Sequence, residues 1–186
     1  MDKQVSRARG PLIFIPKIPK DCIIFKPIWT IWRHKNEDDF GYARERRDLD
    51  ILCFDKSEIP GNLLLNEGAE VIWTALFAGG ITLFNNTNAR IGVGDSSTAE
   101  ADTQTALQGS TSFKAMDTSF PALSGTGNDT IEFQSVFGSA EGNQAWNEFT
   151  VDNGNSANKN LNRKVSAQGT KSSGQTWTIK ISIQAT

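Results

Sequence analysis

The chain has 186 residues, 38% of them hydrophobic and 22% charged, with a formal net charge of −2. That length suits one full domain with an appendage and leaves little room for two compact ones. So balanced a charge argues against a nucleic-acid binder, and no stretch approaches the roughly 20 apolar residues of a membrane helix.

Residues 1–27 read as an extended arm. Pro11, Pro16, Pro19 and Pro27 forbid a helix and discourage a central strand. The runs LIFI (12–15) and IIF (23–25) are apolar and costly to leave in water. Such an arm is expected to lie either on its own body or on a neighbouring subunit. Its first 20 residues carry Lys3, Arg7, Arg9, Lys17 and Lys20 against Asp2. This basic tip suits an acidic partner surface, nucleic acid or a solvated tail. Residues 61–186 have the opposite sign, with 7 Lys/Arg against 11 Asp/Glu. Prolines and lysines interrupt the apolar run, which lacks the cleavage site of a secretory signal, so production in the cytoplasm is expected.

Residues 28–186 read as a single β-rich domain, with a leading hairpin over 28–60, a helix within 61–80 and the main sheet over 81–186. IWTIW (28–32) opens the hairpin. The charged stretch 33–48, with Gly41 in its middle, reads as an exposed tip, and LDILCFD (49–55) as the returning strand. His34, the sole histidine, lies between Arg33 and Lys35 and reads as a surface residue. Glu37, Asp38 and Asp39 read as solvated rather than as a cation site. NEGAEVIWTALFAGG (66–80) predicts a helix over about 66–78, capped by Asn66, with Glu67 and Glu70 in its first turn and Gly79-Gly80 as its stop. Ile72, Ala75, Leu76 and Gly79 share one stripe, and Trp73 and Phe77 a second, so this helix is expected to be buried on more than one side.

Beyond Gly80 the chain reads as strands. ARIGV (89–93) is short. TIEFQSVF (130–137) alternates Ile131, Phe133 and Phe137 against Glu132 and Gln134. QTWTIKISIQ (175–184) sets Trp177, Ile179, Ile181 and Ile183 on one face and Thr176, Thr178, Lys180, Ser182 and Gln184 on the other, the period of a half-buried strand. SGTGND, DNGNSANKN and KSSGQ mark the turns, and Asn153-Gly154 suits a tight hairpin. The expected fold class is therefore mainly β: an antiparallel β-sandwich or barrel-like domain with one buried helix and an extended N-terminal arm.

Signs of catalysis are sparse. RIGVGDSSTAEA (90–101) has the spaced glycines of a phosphate loop. However, Asp95 follows Gly94 where a lysine is needed, and Ser97 stands where a dinucleotide fingerprint has its third glycine. The segment reads instead as a strand ending in a turn, with Gly94 in unusual backbone angles and Asp95 or Ser96 as a cap. A serine-type triad would have to recruit His34. Glu148, flanked in AWNEF by Trp146 and Phe149, is the one carboxylate in a distinctive apolar setting; it reads as a strand glutamate on the wet face. Cys22 and Cys53 lack CxxC partners and make no zinc site without further ligands. They read as reduced thiols, though a disulfide between them stays open. The DNGNSANKN stretch lacks the ligand spacing of a calcium loop. No catalytic, cofactor or metal site is expected.

From residue 62 onward, NLLLNEGAEVIWTALFAGG, NARIGVGDSSTAEADTQTALQG, AWNEFTV, LNRKV and GTKSSGQTWTIKISI, in that order, resemble a family of small β-rich virion proteins of tailed bacteriophages. The resemblance spans about two thirds of the chain and excludes residues 1–27. AWNEFTV departs from it by placing Phe149 where a tryptophan is more usual. Members bear the labels head decoration, tail fibre or structural protein, and the resemblance brings no catalytic residues. It implies a virion component assembled in the host cytoplasm. The leading expectation is a capsid cement or decoration protein on the major capsid protein lattice, a homotrimer or other homo-oligomer at local threefold positions, contacting no nucleic acid and no membrane. The alternative is a tail-fibre or baseplate-associated binding module. The residues expected to bear the interface are Ile13, Phe14, Ile15, Ile23, Ile24, Phe25, Trp29 and Trp32.

Overall fold

The computed structural model of the protein describes residues 23–154 and 159–186. In chain order these form β1 (Phe25–His34), α1 (Glu37–Glu45), β2 (Cys53–Pro60), β3 (Leu63–Leu64), α2 (Asn66–Phe77), β4 (Arg90–Gly94), β5 (Thr111–Ala115), β6 (Ala122–Ser124), β7 (Thr130–Phe137), β8 (Glu148–Asp152), β9 (Asn162–Val165) and β10 (Thr176–Ala185). Two antiparallel sheets result, with strand orders β2-β1-β10-β7-β6 and β3-β9-β8-β4-β5. Neither closes on itself, so the fold is a β-sandwich and not a barrel.

Period-two alternation builds the core. Register sets Trp29 opposite Ile181 and Ile31 opposite Ile179, and Phe133 opposite Ile181 on the other side. These inward side chains meet Ile91, Val93, Phe149 and Val151 of the second sheet in one buried cluster. Trp146 sits among them, edge-to-face with Phe137 at 5.0 Å and Trp177 at 4.9 Å. Its indole N–H is satisfied by the Gly142 carbonyl at 2.9 Å. Edge-to-face contacts of this kind add to the stabilisation from burial alone.

The charged stretch 33–48 is not a bare hairpin tip; it holds α1. Asn36 Oδ1 accepts the Asp39 N–H at 2.7 Å, and Glu37, Asp38 and Asp39 fill the first turn, where the helix dipole favours carboxylates. Phe40 and Ala43 are buried over the outward face of the first sheet. There Trp32 pairs with Thr178 and His34 with Thr176. All four are buried, so Thr176 and Thr178 do not lie on a wet face and His34 is not a surface residue. His34 Nε2 lies 3.2 Å from the Ile51 carbonyl and its ring packs edge-to-face on Phe40 at 5.7 Å. Burial pushes its pKa below the usual imidazole value. The returning strand starts at Cys53, later than Leu49, because the chain is still turning at Leu52, whose φ is 54°.

Four further expectations need correction. The arm does not reach residue 27: Ile24 and Thr186 exchange backbone hydrogen bonds, and Pro27 lies within β1. Proline is tolerated there because β2 has ended at Pro60, opposite Ile28. Gly94 sits in a regular strand, opposite Thr111 and Glu148. Its glycine is required by proximity, since a Cβ would stand 2.5 Å from Glu148 Oε1. The hairpin after β8 is wider than Asn153-Gly154 alone, for Asn153 pairs with Lys159. Finally, α2 is capped by the backbone of Leu65 with no side-chain cap, and it is not buried on several sides. Glu67, Gly68 and Val71 face the body, while Trp73, Leu76 and Phe77 are 59%, 67% and 84% exposed.

Candidate functional site

The outward face of the second sheet holds the residue that the sequence marked for chemistry. Glu148 alternates with the core residue Phe149, which points it away from the sandwich interior. It is nonetheless fully buried, because residues 95–110 fold over it. Its carboxylate accepts the Gln108 N–H at 2.9 Å and the Gly109 N–H at 2.9 Å. Arg163 donates to it from Nε at 2.9 Å and from Nη2 at 2.6 Å. Arg163 in turn reaches Thr98 O and Gln104 Oε1. Thr150, Asn160 and Glu67 continue this polar layer through Thr150 Oγ1–H to Asn160 Oδ1 at 2.9 Å and Asn160 Nδ2–H to Glu67 Oε1 at 2.9 Å. Arg90 closes on Asp152 beside it. A carboxylate so fully occupied has no lone pair free for a substrate, and this layer fastens the 95–110 loop to the sheet.

Within the loop, Ser96 Oγ accepts the Thr98 N–H at 3.1 Å and Asp95 Oδ1 the Ser110 N–H at 2.8 Å. Ser96 is occupied in a turn, and Asp95 ties the two ends of the loop together. Among the described residues, no group of three or more His, Cys, Asp or Glu side chains could hold a metal ion. Cys53 is a free thiol, and Cys22 lies outside the described residues. No helix among the described residues is long and apolar enough to cross a membrane.

The opposite character appears at the end of the sandwich where β1 begins and β10 finishes. An apolar pocket of about 230 Å³ opens there between the sheets. Phe25, Leu64, Ile72, Phe84, Phe133 and Ile183 contribute to its walls. Two side-chain amides also line it. Asn62 Oδ1 and Asn162 Nδ2 are buried and have no hydrogen-bond partner among the described residues. The orientation of Asn162 is fixed, because its Oδ1 accepts the Val151 N–H at 2.9 Å. The other unpartnered buried atoms among the described residues belong to Trp29, His34, Thr176, Trp177 and Thr178, none of which lines this pocket. Of α2, Ile72 lines the pocket, and elsewhere on the same helix the Trp73 and Phe77 rings stack at 6.4 Å.

Of the residues expected to bear an interface, Ile23 and Phe25 are 76% and 55% exposed beside this pocket, and Ile24 is half-buried. Ile13, Phe14 and Ile15 lie outside the described residues. Trp29 and Trp32 are not interface residues. Trp29 is fully buried and packs on Phe149 at 5.7 Å. Trp32 is buried on the outward face of its sheet, donates from Nε1 to Asp50 Oδ1 at 2.7 Å and carries the Lys56 and Lys180 ammonium groups over its ring. Sequence reasoning passed over Trp73, Leu76 and Phe77 as exposed contacts. Their signal was an apolar girth wider than one face of a surface helix requires. No family model, curated protein or solved structure matches this chain.

Proposed function

We propose that this protein is a non-enzymatic structural subunit of a bacteriophage virion, a cement protein that binds the major capsid protein lattice and neighbouring copies of itself. The observation that carries an assembly role is the uncovered apolar end. Trp73, Leu76, Phe77 and Phe25 stand in solvent beside an open pocket, while the buried charges of the second sheet are paired within the chain. Large apolar side chains left in water cost free energy that a protein contact would recover. The sequence resemblance from residue 62 onward supplies the virion context. Each contact made only in the assembled shell then favours that shell by mass action.

Quantitative mass spectrometry of purified particles tests the reading. A copy number on the order of hundreds, in fixed ratio to the major capsid protein, is the expected result for a lattice-wide contact repeated by symmetry. A few dozen copies or fewer place the protein in the tail and overturn the cement role. Absence from particles overturns the virion reading.

A further inference from the structure

One edge of the first sheet is β2, and register decides which of its backbone groups are free. Ile24 and Thr186 exchange both of their backbone hydrogen bonds, so the even-numbered residues of β1 bond to β10. The odd-numbered ones turn to β2, as the bond from the Gly61 N–H to the Pro27 carbonyl shows. In β2 the odd-numbered residues therefore face β1, and Lys56 and Glu58 direct their N–H and C=O groups away from the sheet. No described strand lies beyond them. This free run is bounded on one side by Phe54, where the register shifts, and on the other by Pro60, which has no N–H. A lysine, a bulge and a proline each discourage an edge from pairing at random. A partner strand has to answer Lys56 and Glu58 in particular.

We propose that this edge pairs with β2 of a second copy of the chain, antiparallel about a twofold axis at Ser57, so that two five-stranded sheets become one. The charges select the register. With Ser57 opposite Ser57, Lys56 of each copy stands directly across from Glu58 of the other, in a hydrogen-bonded pair whose side chains share a face. Within one chain the two groups already share that face, with Lys56 Nζ 3.5 Å from Glu58 Oε1. Sliding to the next bonded register sets Lys56 against Lys56 in one direction and Glu58 against Glu58 in the other, and like charges directly opposite are destabilising. The matched register also brings the exposed Phe54 of each copy towards the exposed Pro60 of the other. Residues 1–22 do not supply the same complement. No basic and acidic residue among them stand two apart, and Pro11, Pro16 and Pro19 interrupt a ladder. An edge strand of the second sheet, β5, carries Lys114 as its single charge. The inference deepens the assembly reading by naming one contact between copies. Its test uses the isolated protein, so its failure leaves capsid binding standing, and absence from particles leaves the pairing standing.

Sedimentation equilibrium of the full-length chain is expected to show a reversible dimer. Lys56→Glu and Glu58→Lys each place like charges opposite one another twice, and each is expected to weaken the dimer about tenfold or more. An equimolar mixture of the two variants recovers it, because every charge again meets its opposite. In a Cys22→Ser/Cys53→Ser background, Ser57→Cys is expected to form an intermolecular disulfide on mild oxidation, since residues facing each other on the axis lie about 4.5 Å apart at Cα. Lys56→Cys and Glu58→Cys in the same background stay reduced. Hydrogen exchange of the native chain reads the edge without substitution: the Lys56 and Glu58 amides are expected to be protected only at concentrations where the dimer forms. Protection that persists on dilution puts a segment of the same chain on the edge and overturns the proposal. So does a native chain that stays monomeric, a mixture of the two folded charge variants that fails to recover association, or a disulfide in the Lys56→Cys or Glu58→Cys variant in place of Ser57→Cys.

Discussion

The two ends of the polar–apolar spectrum in this molecule lie on different parts of the same sandwich. On the outward face of the second sheet, Glu148 and Arg163 are both fully buried and satisfy one another together with two backbone N–H groups. At the open end, two buried amide atoms find no partner among the described residues and three large apolar side chains of α2 stand in water. The first region is satisfied within the chain; the second is left unsatisfied among the described residues. Burial of charge thus marks a finished contact here, whereas unfinished hydrogen bonding beside an apolar surface is the feature that calls for an explanation.

The contrast can be broken from either side. The largest expected effect is at the finished region. Glu148→Ala leaves the Arg163 guanidinium buried without its counter-ion and is expected to cost about 3–5 kcal/mol, read as a lower urea midpoint at unchanged slope. Gly68→Ala comes next. A Cβ there would lie 2.2 Å from the Leu161 carbonyl oxygen, and that backbone has no flexible end to move aside. A loss of about 1–3 kcal/mol is expected, together with displacement of α2 from the pocket, visible in Trp73 fluorescence.

The pH dependence sharpens the contrast between buried groups that are paired and those that are not. Burial lowers the folded-state pKa of His34, so the unfolded chain takes up the proton first. Stability from this site is full above the unfolded value of about 6.5 and falls as the pH drops below it. Lys171 is buried and donates to the Gly138 carbonyl at 2.7 Å and Asn143 Oδ1 at 2.8 Å, yet desolvation lowers its pKa to about 8. The folded state therefore loses that proton before the unfolded one, and stability from this site rises between about pH 8 and the ordinary lysine value of about 10.4. Unfolding midpoints of the native chain, His34→Gln and Lys171→Met across pH 5–10 read both. The smallest effect on folding is expected at the unfinished end. Trp73→Ser with Phe77→Ser should change stability by about 0.5 kcal/mol or less while reducing retention on particles, a separation of folding from binding that Glu148→Ala cannot show.

What was legible in the sequence was what one period determines locally. β7 and β10 announce themselves through strict alternation, and the structure places β7 at Thr130–Phe137 and β10 at Thr176–Ala185. What was illegible depended on a third layer. Trp32, His34, Thr176 and Thr178 occupy outward positions of their strands, and cover comes from elsewhere in the chain: Phe40 of α1 packs on His34, and the turn before β2 brings Asp50 to Trp32 and Ile51 to His34. The available signal was Asn36 three residues before Asp39, a helix cap hidden inside a charge run. Glu148 escaped for a similar reason: Arg163 reaches it only after β8 and β9 pair and the 95–110 loop folds over both. The pocket was half legible. The apolar arm pointed to a contact near Phe25, but the unpartnered amides of Asn62 and Asn162 arise from strand placement that no local pattern encodes.

The attachment of the arm has a mechanical consequence. β1 is an interior strand, held along its whole length by β10 and along most of it by β2, and the Ile24–Thr186 bonds extend the ladder to the arm's root. Antiparallel hydrogen bonds run perpendicular to the strands, so tension drawn through the arm along the strand axis loads them side by side rather than one after another. An edge strand would resist through one ladder; this one resists through two. Any neighbour gripping residues 1–22 therefore pulls on the centre of the sheet, and the domain resists as a unit.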